Sequence, residues 1–84
     1  MKAALKLYAS LSDYLPAESR KTNRIDLELE PGTTVLDLID RYRLPQQLCK
    51  LVLIDGSFVP PEDRGARALR EGEVLAIWPP IAGG

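Results

Sequence analysis

The groups able to do chemistry in this chain are few, and the most promising of them is not a side chain. Histidine is absent, which removes the commonest general base and metal ligand. A lone cysteine, Cys49, supplies neither a zinc pattern nor an internal disulfide. No glycine-rich phosphate loop is present. A free-standing enzyme is hard to build from this inventory unless its reactive group belongs to the main chain. That directs attention to the C-terminal run Trp78-Pro79-Pro80-Ile81-Ala82-Gly83-Gly84. Pro79 and Pro80 remove backbone donors and hold an extended path, so no strand continues through them. Ile81 offers one apolar anchor, and Ala82, Gly83 and Gly84 add almost no side-chain bulk. Six extended residues reach roughly 20 Å. Residues 79–84 therefore read as an extended, flexible C-terminal tail, stiff at its root, narrow at its tip and ending in the carboxylate of Gly84.

The other polar residues have plainer readings. Arg64, Arg67 and Arg70 read as a solvated basic face, with Arg67 able to pair with Glu71 if that stretch is helical. Asp26, Glu28, Glu30, Asp37 and Asp40 form an acidic counterpart without an intervening base. Cys49 reads as a small apolar core residue, and Tyr8, Tyr14 and Tyr42 as structural. Phe58 and Val59 read as core or sheet cover. Trp78 is open to two readings, as a residue covering the sheet or as part of a docking surface, where aromatics are enriched.

Size and composition set the frame for these residues. The chain has 84 residues, 45% of them hydrophobic and 27% charged. This allows one domain, in which folding hides only about 60–65% of the unfolded surface. A deep cleft between two domains is excluded at this size. The net charge of -1 lacks the basic balance of a nucleic-acid binder. No apolar run approaches the roughly 18 residues of a membrane helix, no signal-peptide pattern opens the chain, and one unpaired cysteine fits a reducing compartment. A cytoplasmic protein without membrane or nucleic-acid partners is expected.

The elements that must position the tail follow from periodicity. Lys2 to Ala9 alternates, with Ala3, Leu5, Leu7 and Ala9 on one face, and reads as a half-buried strand. Ser10 to Ala17 reads as a short helix or turn ended by Pro16. Ile25 to Glu30 alternates strictly and should pair with the first strand as a hairpin, stopped by Pro31-Gly32. Thr33-Thr34 opens the main helix, with a threonine cap and Asp37 near its positive end. Val35, Leu38, Ile39 and Tyr42 form its apolar stripe, and Pro45 ends it. Leu51-Val52-Leu53-Ile54 is a continuous apolar run, as in a central strand covered on both faces. Asp55-Gly56 turns into a short strand at Ser57 to Val59. Glu62 to Arg70 is irregular or a single helical turn. Glu71-Gly72 turns into the last strand, Glu73 to Trp78. A single helix can bury its stripe only across one sheet face. The aliphatic last strand belongs in the centre, parallel to the first, with the helix-bearing segment as crossover. The expected fold is α+β, a ubiquitin-like β-grasp with a mixed sheet packed on one main helix. Residues 1–78 form the domain and 79–84 the tail.

The segment Glu71 to Gly84, with its acidic-glycine turn, aliphatic strand, aromatic and Pro-Pro-Ile-Ala-Gly-Gly end, resembles the C-terminus of the MoaD/ThiS sulfur-carrier family, most of all its molybdopterin synthase small-subunit branch. Thr34 to Ile39 is similar to the family's first helix. Trp78 stands where Phe or Leu is usual and Ile81 where Val is usual. The stretch from Pro60 to Arg70 follows no family pattern. The resemblance implies a mechanism. An activating enzyme uses ATP to adenylate the Gly84 carboxylate, a sulfur donor protein displaces AMP to leave a thiocarboxylate, and the tail enters the large subunit of molybdopterin synthase, where its sulfur passes to a pterin precursor. It also implies a heterotetramer of two carriers on a large-subunit dimer. The chain would be no enzyme alone and would bind no cofactor or metal. Bulk at Gly83 or Gly84 would obstruct the partners' reactive groups, and a deep reach places the activated acyl group in a water-excluded pocket. Other uses remain open on the same residues: sulfur delivery to thiazole, cysteine or tRNA, a ubiquitin-like protein tag joined through Gly84, or a non-covalent β-grasp binding module.

Overall fold

A computed structural model describes residues 1–80 of the chain. Five strands form one mixed sheet in the order β2-β1-β5-β3-β4. They are β1 (Lys2–Leu7), β2 (Arg24–Glu28), β3 (Leu51–Ile54), β4 (Ser57–Phe58) and β5 (Val74–Trp78), with one α-helix, α1 (Val35–Arg41), between β2 and β3.

The hairpin of β1 and β2 is antiparallel, with Leu5 opposite Ile25 and Ala3 opposite Leu27. Its connection folds into two short 3-10 turns, Ala9–Tyr14 and Ala17–Ser19. Asn23 then takes a left-handed φ of 58, and its side-chain amide donates to the Leu7 carbonyl at 2.9 Å. That bond closes the loop onto β1. The first strand stops at Leu7, two residues before the alternation ends, because Ala9 turns to φ 52 to start the 3-10 segment.

The expected capping of α1 is present in full. The Thr34 hydroxyl accepts from the Asp37 backbone N–H at 3.1 Å, and the Asp37 carboxylate accepts from the Thr34 N–H at 2.9 Å, a reciprocal capping box. The helix makes two turns and ends at the C-cap Tyr42, the last residue of its apolar stripe. Arg43 adopts φ 57, and the Arg43 and Leu44 N–H groups donate to the Asp40 and Ile39 carbonyls. This is a Schellman closure with arginine in the place where glycine is usual. It stops the helix before Pro45 is reached, and it buries Leu44 beside the buried Ile39.

Val35, Leu38 and Ile39 of α1 join Leu5, Leu7, Val52, Ile54, Leu75 and Ile77 of the sheet in one buried cluster. Leu75 and Ile77 have no accessible surface. Each such side chain contributes about 1.5–3 kcal/mol through burial. As expected, β5 lies in the middle of the sheet, parallel to β1 and antiparallel to β3. A hairpin joins β3 to β4 through Asp55 (φ 48) and Gly56 (φ 86), the two positive φ values of a type I′ turn.

Three sequence expectations need correction. β3 is not covered on both faces: Val52 and Ile54 are buried, but Leu51 is 40% exposed, because α1 covers only one side of the sheet. Phe58 is neither core nor cover but the most exposed large hydrophobic residue described, at 55%. It sits on a two-residue edge strand whose outer face nothing overlies, while its neighbour Val59 is buried as expected. Nor is the arginine stretch a solvated face. Arg64 is buried, and Arg67 pairs with Glu73 rather than Glu71.

Candidate functional site

The root of the C-terminal segment is held by the central strand of the sheet. β5 hydrogen-bonds on both sides, and its last rungs are the Tyr8 N–H to the Ile77 carbonyl at 3.2 Å and the Lys50 N–H to the Trp78 carbonyl at 3.0 Å. Pro79 and Pro80 have no N–H to donate, so the ladder ends at Trp78. Pro79 is half-buried and Pro80 exposed. Ile81, Ala82, Gly83 and Gly84, which the sequence marks as the reactive and partner-entering part, lie outside the described residues, as does the greater part of the expected tail over 79–84.

Trp78 stacks on Tyr8, ring centroids 4.3 Å apart and planes 4° from parallel. Such a pair is worth about 0.5–1.5 kcal/mol beyond area burial. Cross-strand register puts Leu51 opposite Trp78, Leu53 opposite Ala76, and Phe58 opposite Leu53. Since side chains two apart on a strand share a face, Trp78, Leu51 and Phe58 all lie on the sheet face away from α1. An apolar row therefore runs from the root of the tail to the edge strand. Trp78 thus covers the sheet by stacking, the first of its two readings, and it does so on an apolar face.

The start of β5 is clamped independently. Both Glu73 carboxylate oxygens accept from the Arg67 guanidinium, at 2.8 and 3.2 Å, and one also accepts from the Arg70 N–H at 2.7 Å. The Arg67 hydrogen bonds hold the Glu73 carboxyl below its ordinary range against the opposing effect of burial. Arg67 also donates to the Ala68 carbonyl. The proline- and arginine-rich connection before β5 is thus fastened to the strand it feeds.

Cys49 is buried, as expected of a core residue, and burial pushes its thiol up while nearby Arg64 partly offsets this. A buried thiol with little thiolate character is a poor nucleophile. Among the described residues no group of three His, Cys, Asp or Glu could hold a metal ion, and no helix is long and apolar enough to cross a membrane. Sequence reasoning missed the exposed apolar row and the burial of Arg64. The row had a signal: Leu51, Leu53, Ala76 and Trp78 make the outer positions of two paired strands apolar. Arg64 had none, since its partners are backbone carbonyls.

A model of the ThiS family matches residues 14–84. No curated protein sequence matches significantly. Among solved structures, SAMP1 from Haloferax volcanii is 23% identical, with 100% of both chains covered and a TM-score of 0.68. The HVO 2177 protein of the same organism is 25% identical over 100% of this chain and 87% of that one, with a TM-score of 0.73. A chain in the complex of subunits 1 and 2 of molybdopterin-converting factor from Helicobacter pylori is 12% identical, with 100% of both chains covered and a TM-score of 0.59. The shared arrangement of mixed sheet and helix is the ubiquitin-like β-grasp.

Proposed function

The chain belongs to the ThiS family of small sulfur carriers and ubiquitin-like modifiers, and from that premise we propose that Gly84 supplies a carboxylate which partner enzymes convert to a thiocarboxylate for sulfur delivery, as the small subunit of a molybdopterin synthase. The observation that carries the reading is a family match running through Gly83-Gly84 on a chain whose preceding strand is fixed centrally up to Trp78.

The chemistry divides between proteins. The activating enzyme uses ATP to form an acyl adenylate at Gly84, expelling pyrophosphate. A sulfur donor protein carrying a persulfide then displaces AMP, so that a C–S bond replaces the C–O bond to the phosphate, and a thiol reduces the resulting S–S bond to free the thiocarboxylate. This chain contributes the acyl group, a slim approach through Ala82 and Gly83, and a docking face. The apolar row of Trp78, Leu51 and Phe58 suits that face, because it begins where the tail begins. Ile81 and the prolines would set how far the tip reaches into the partner. The small-subunit assignment is supported by the Pro79-Pro80-Ile81-Ala82-Gly83-Gly84 pattern. The Helicobacter structure shows a β-grasp chain of this fold in a complex of two subunits, which supports a large-subunit partner.

The test is incubation with an activating enzyme, ATP and a sulfur source, followed by mass analysis of the C-terminal fragment. Exchange of one oxygen for sulfur on that fragment is the expected result, and a chain lacking Gly84 should fold normally yet show no exchange. Tandem fragmentation that localises the change to Gly84 excludes oxidation of Met1 or Trp78, which adds nearly the same mass. Slower-migrating conjugates without thiocarboxylate would mark a protein tag instead. An unchanged C-terminus under these conditions would sink the carrier reading.

A further inference from the structure

The two edges of the sheet are finished differently. β4 is only two residues long, and Pro60, with no N–H to offer, comes soon after it, which blunts that edge. β2 is a five-residue strand with neither proline nor lysine in it, and its register against β1 runs without a bulge. No strand lies beyond it. The Leu29 N–H donates to the Met1 carbonyl at 2.7 Å and the Leu7 N–H to the Asn23 carbonyl at 3.0 Å. Bonded residues alternate along an antiparallel ladder. Ile25 and Leu27 therefore bond to β1, while Arg24, Asp26 and Glu28 turn their N–H and C=O groups outward. Among the described residues these outward groups meet one side chain, the Thr22 hydroxyl, which donates to the Arg24 carbonyl at 3.4 Å.

That outward edge is its own chemical complement. Turned about a two-fold axis through Asp26, a second copy of β2 sets Glu28 opposite Arg24, Leu27 opposite Ile25, and Asp26 opposite itself. Every pair lies on a common face, and the residues with outward backbone groups meet one another. Arg24, Asp26 and Glu28 stand exposed on the face away from α1. Ile25 and Leu27 are half-buried on the other face, at the margin of the core, and a second copy covers their open side with an aliphatic residue. Asp26 against Asp26 is the one adverse meeting. Each Asp26 already holds the Arg24 Nε at 3.0 Å, and each Glu28 holds the N-terminal ammonium at 2.9 Å. Neither carboxylate therefore enters the seam without a counter-ion. Sliding the second copy one way sets Asp26 against Glu28, and sliding it the other way shrinks the overlap to Arg24 through Asp26.

We propose that β2 is a self-association edge, on which a second copy of this chain adds its own β2 antiparallel and joins the two five-stranded sheets into one. A second copy suits the edge better than an unrelated strand. The charge is basic at Arg24 and acidic at Glu28, and such a reversal from end to end is what lets a strand attract itself when antiparallel. The seam is small, so the dimer is weak and depends on concentration. It forms at the edge opposite β4 and leaves Trp78, Leu51 and Phe58 uncovered. It does not depend on the chemistry at Gly84, so its failure would leave the carrier reading untouched.

The test is sedimentation equilibrium and NMR of the isotopically labelled full chain, over about a hundredfold range of concentration reaching about 1 mM, where a weak dimer forms. The mass should climb from one copy toward two. The backbone amide signals of Arg24, Asp26 and Glu28 should move with it, and those of Ile25 and Leu27, whose N–H groups face β1, much less. Asp26→Pro deletes the central outward N–H and no bond to β1, so the chain should stay monomeric with an unchanged circular dichroism spectrum. Arg24→Glu and Glu28→Arg should each weaken the dimer about tenfold, since either change sets like charges opposite at both ends of the seam. Combining the two restores opposite charges and should bring the dimer back to within about threefold of wild type. A monomeric mass at every concentration, shifts confined to Trp78, Leu51 and Phe58, or a double variant no tighter than the single ones would each overturn the proposal.

Discussion

Replacing Glu73 with glutamine removes one charge at the start of β5 and changes almost nothing else in shape. The wild-type carboxylate accepts three hydrogen bonds, two from Arg67 and one from the Arg70 N–H. Its side chain is 15% accessible and that of Arg67 is 32% accessible. Fully buried bonds to a charged group contribute about 1.5–3 kcal/mol each. Solvent-exposed ion pairs contribute only about 0–1 kcal/mol. Arg67 lies between these limits, and glutamine can still accept, so the expected loss at pH 7 is about 1–2 kcal/mol, a fall in Tm of about 5–15 °C for a domain of this size. The pH dependence separates charge from shape. The folded-state carboxyl is held below its ordinary value of 4.5, first by the Arg67 bonds. A depressed carboxyl stabilises the fold above the unfolded value and loses that effect as pH falls through the folded one. The gap between wild type and Glu73→Gln should therefore be full at neutral pH, shrink below 4.5, and close once the folded-state carboxyl is protonated. Urea unfolding followed by the fluorescence of Trp78, the only tryptophan, measures it. A gap that stays constant with pH would refute the argument.

Three further outcomes follow from the same structure. Thr34→Ala removes the hydroxyl that accepts from the Asp37 N–H, leaving only the half of the capping box made by the backbone N–H at position 34, and should cost about 1 kcal/mol, seen as a lower Tm; a two-turn helix has little reserve to absorb the loss. Leu75→Ala empties a position with no accessible surface between strand and helix and should cost about 2–5 kcal/mol, enough to leave a chain this small partly unfolded by circular dichroism. Cys49 should react with a thiol reagent far more slowly in the native chain than in denaturant, because it is buried and its pKa is raised; rapid native labelling would contradict that placement.

Much of the fold could be read from residue order, and what could not has definite causes. Alternation at Ile25 to Glu30 located β2, and the aliphatic run after Gly72 placed β5 centrally, since only an inner strand needs both neighbours. Thr34 with Asp37 announced the helix start. Its stop was credited to Pro45, whereas Arg43 closes it in a conformation usually reserved for glycine, and the arginine letter gives no sign of it. Leu51-Val52-Leu53-Ile54 looked doubly covered because both faces are aliphatic; pattern alone does not distinguish a covered face from an apolar one left open. Arg64 was misplaced because charge type argues for solvent, whereas its burial depends on two carbonyls, from Val59 and Cys49, that only the folded backbone brings together. The candidate reactive group was legible for the opposite reason: Pro79 to Gly84 is local sequence and needs no tertiary context to be noticed.

The central position of β5 has a consequence for how the chain assembles. The last of the five described strands in chain order is the one that joins the two hairpins, since β1 and β3 both pair with it and not with each other. Until residues 74–78 arrive, the early half has only β2 and the later half only β4 to pair with. Contacts between Ala4 and Val74 or Leu7 and Ile77 span most of the chain, the kind of long-range closure that slows folding. Completion of the sheet therefore acts as a keystone step: without β5 the two hairpins share no strand and the sheet has no centre.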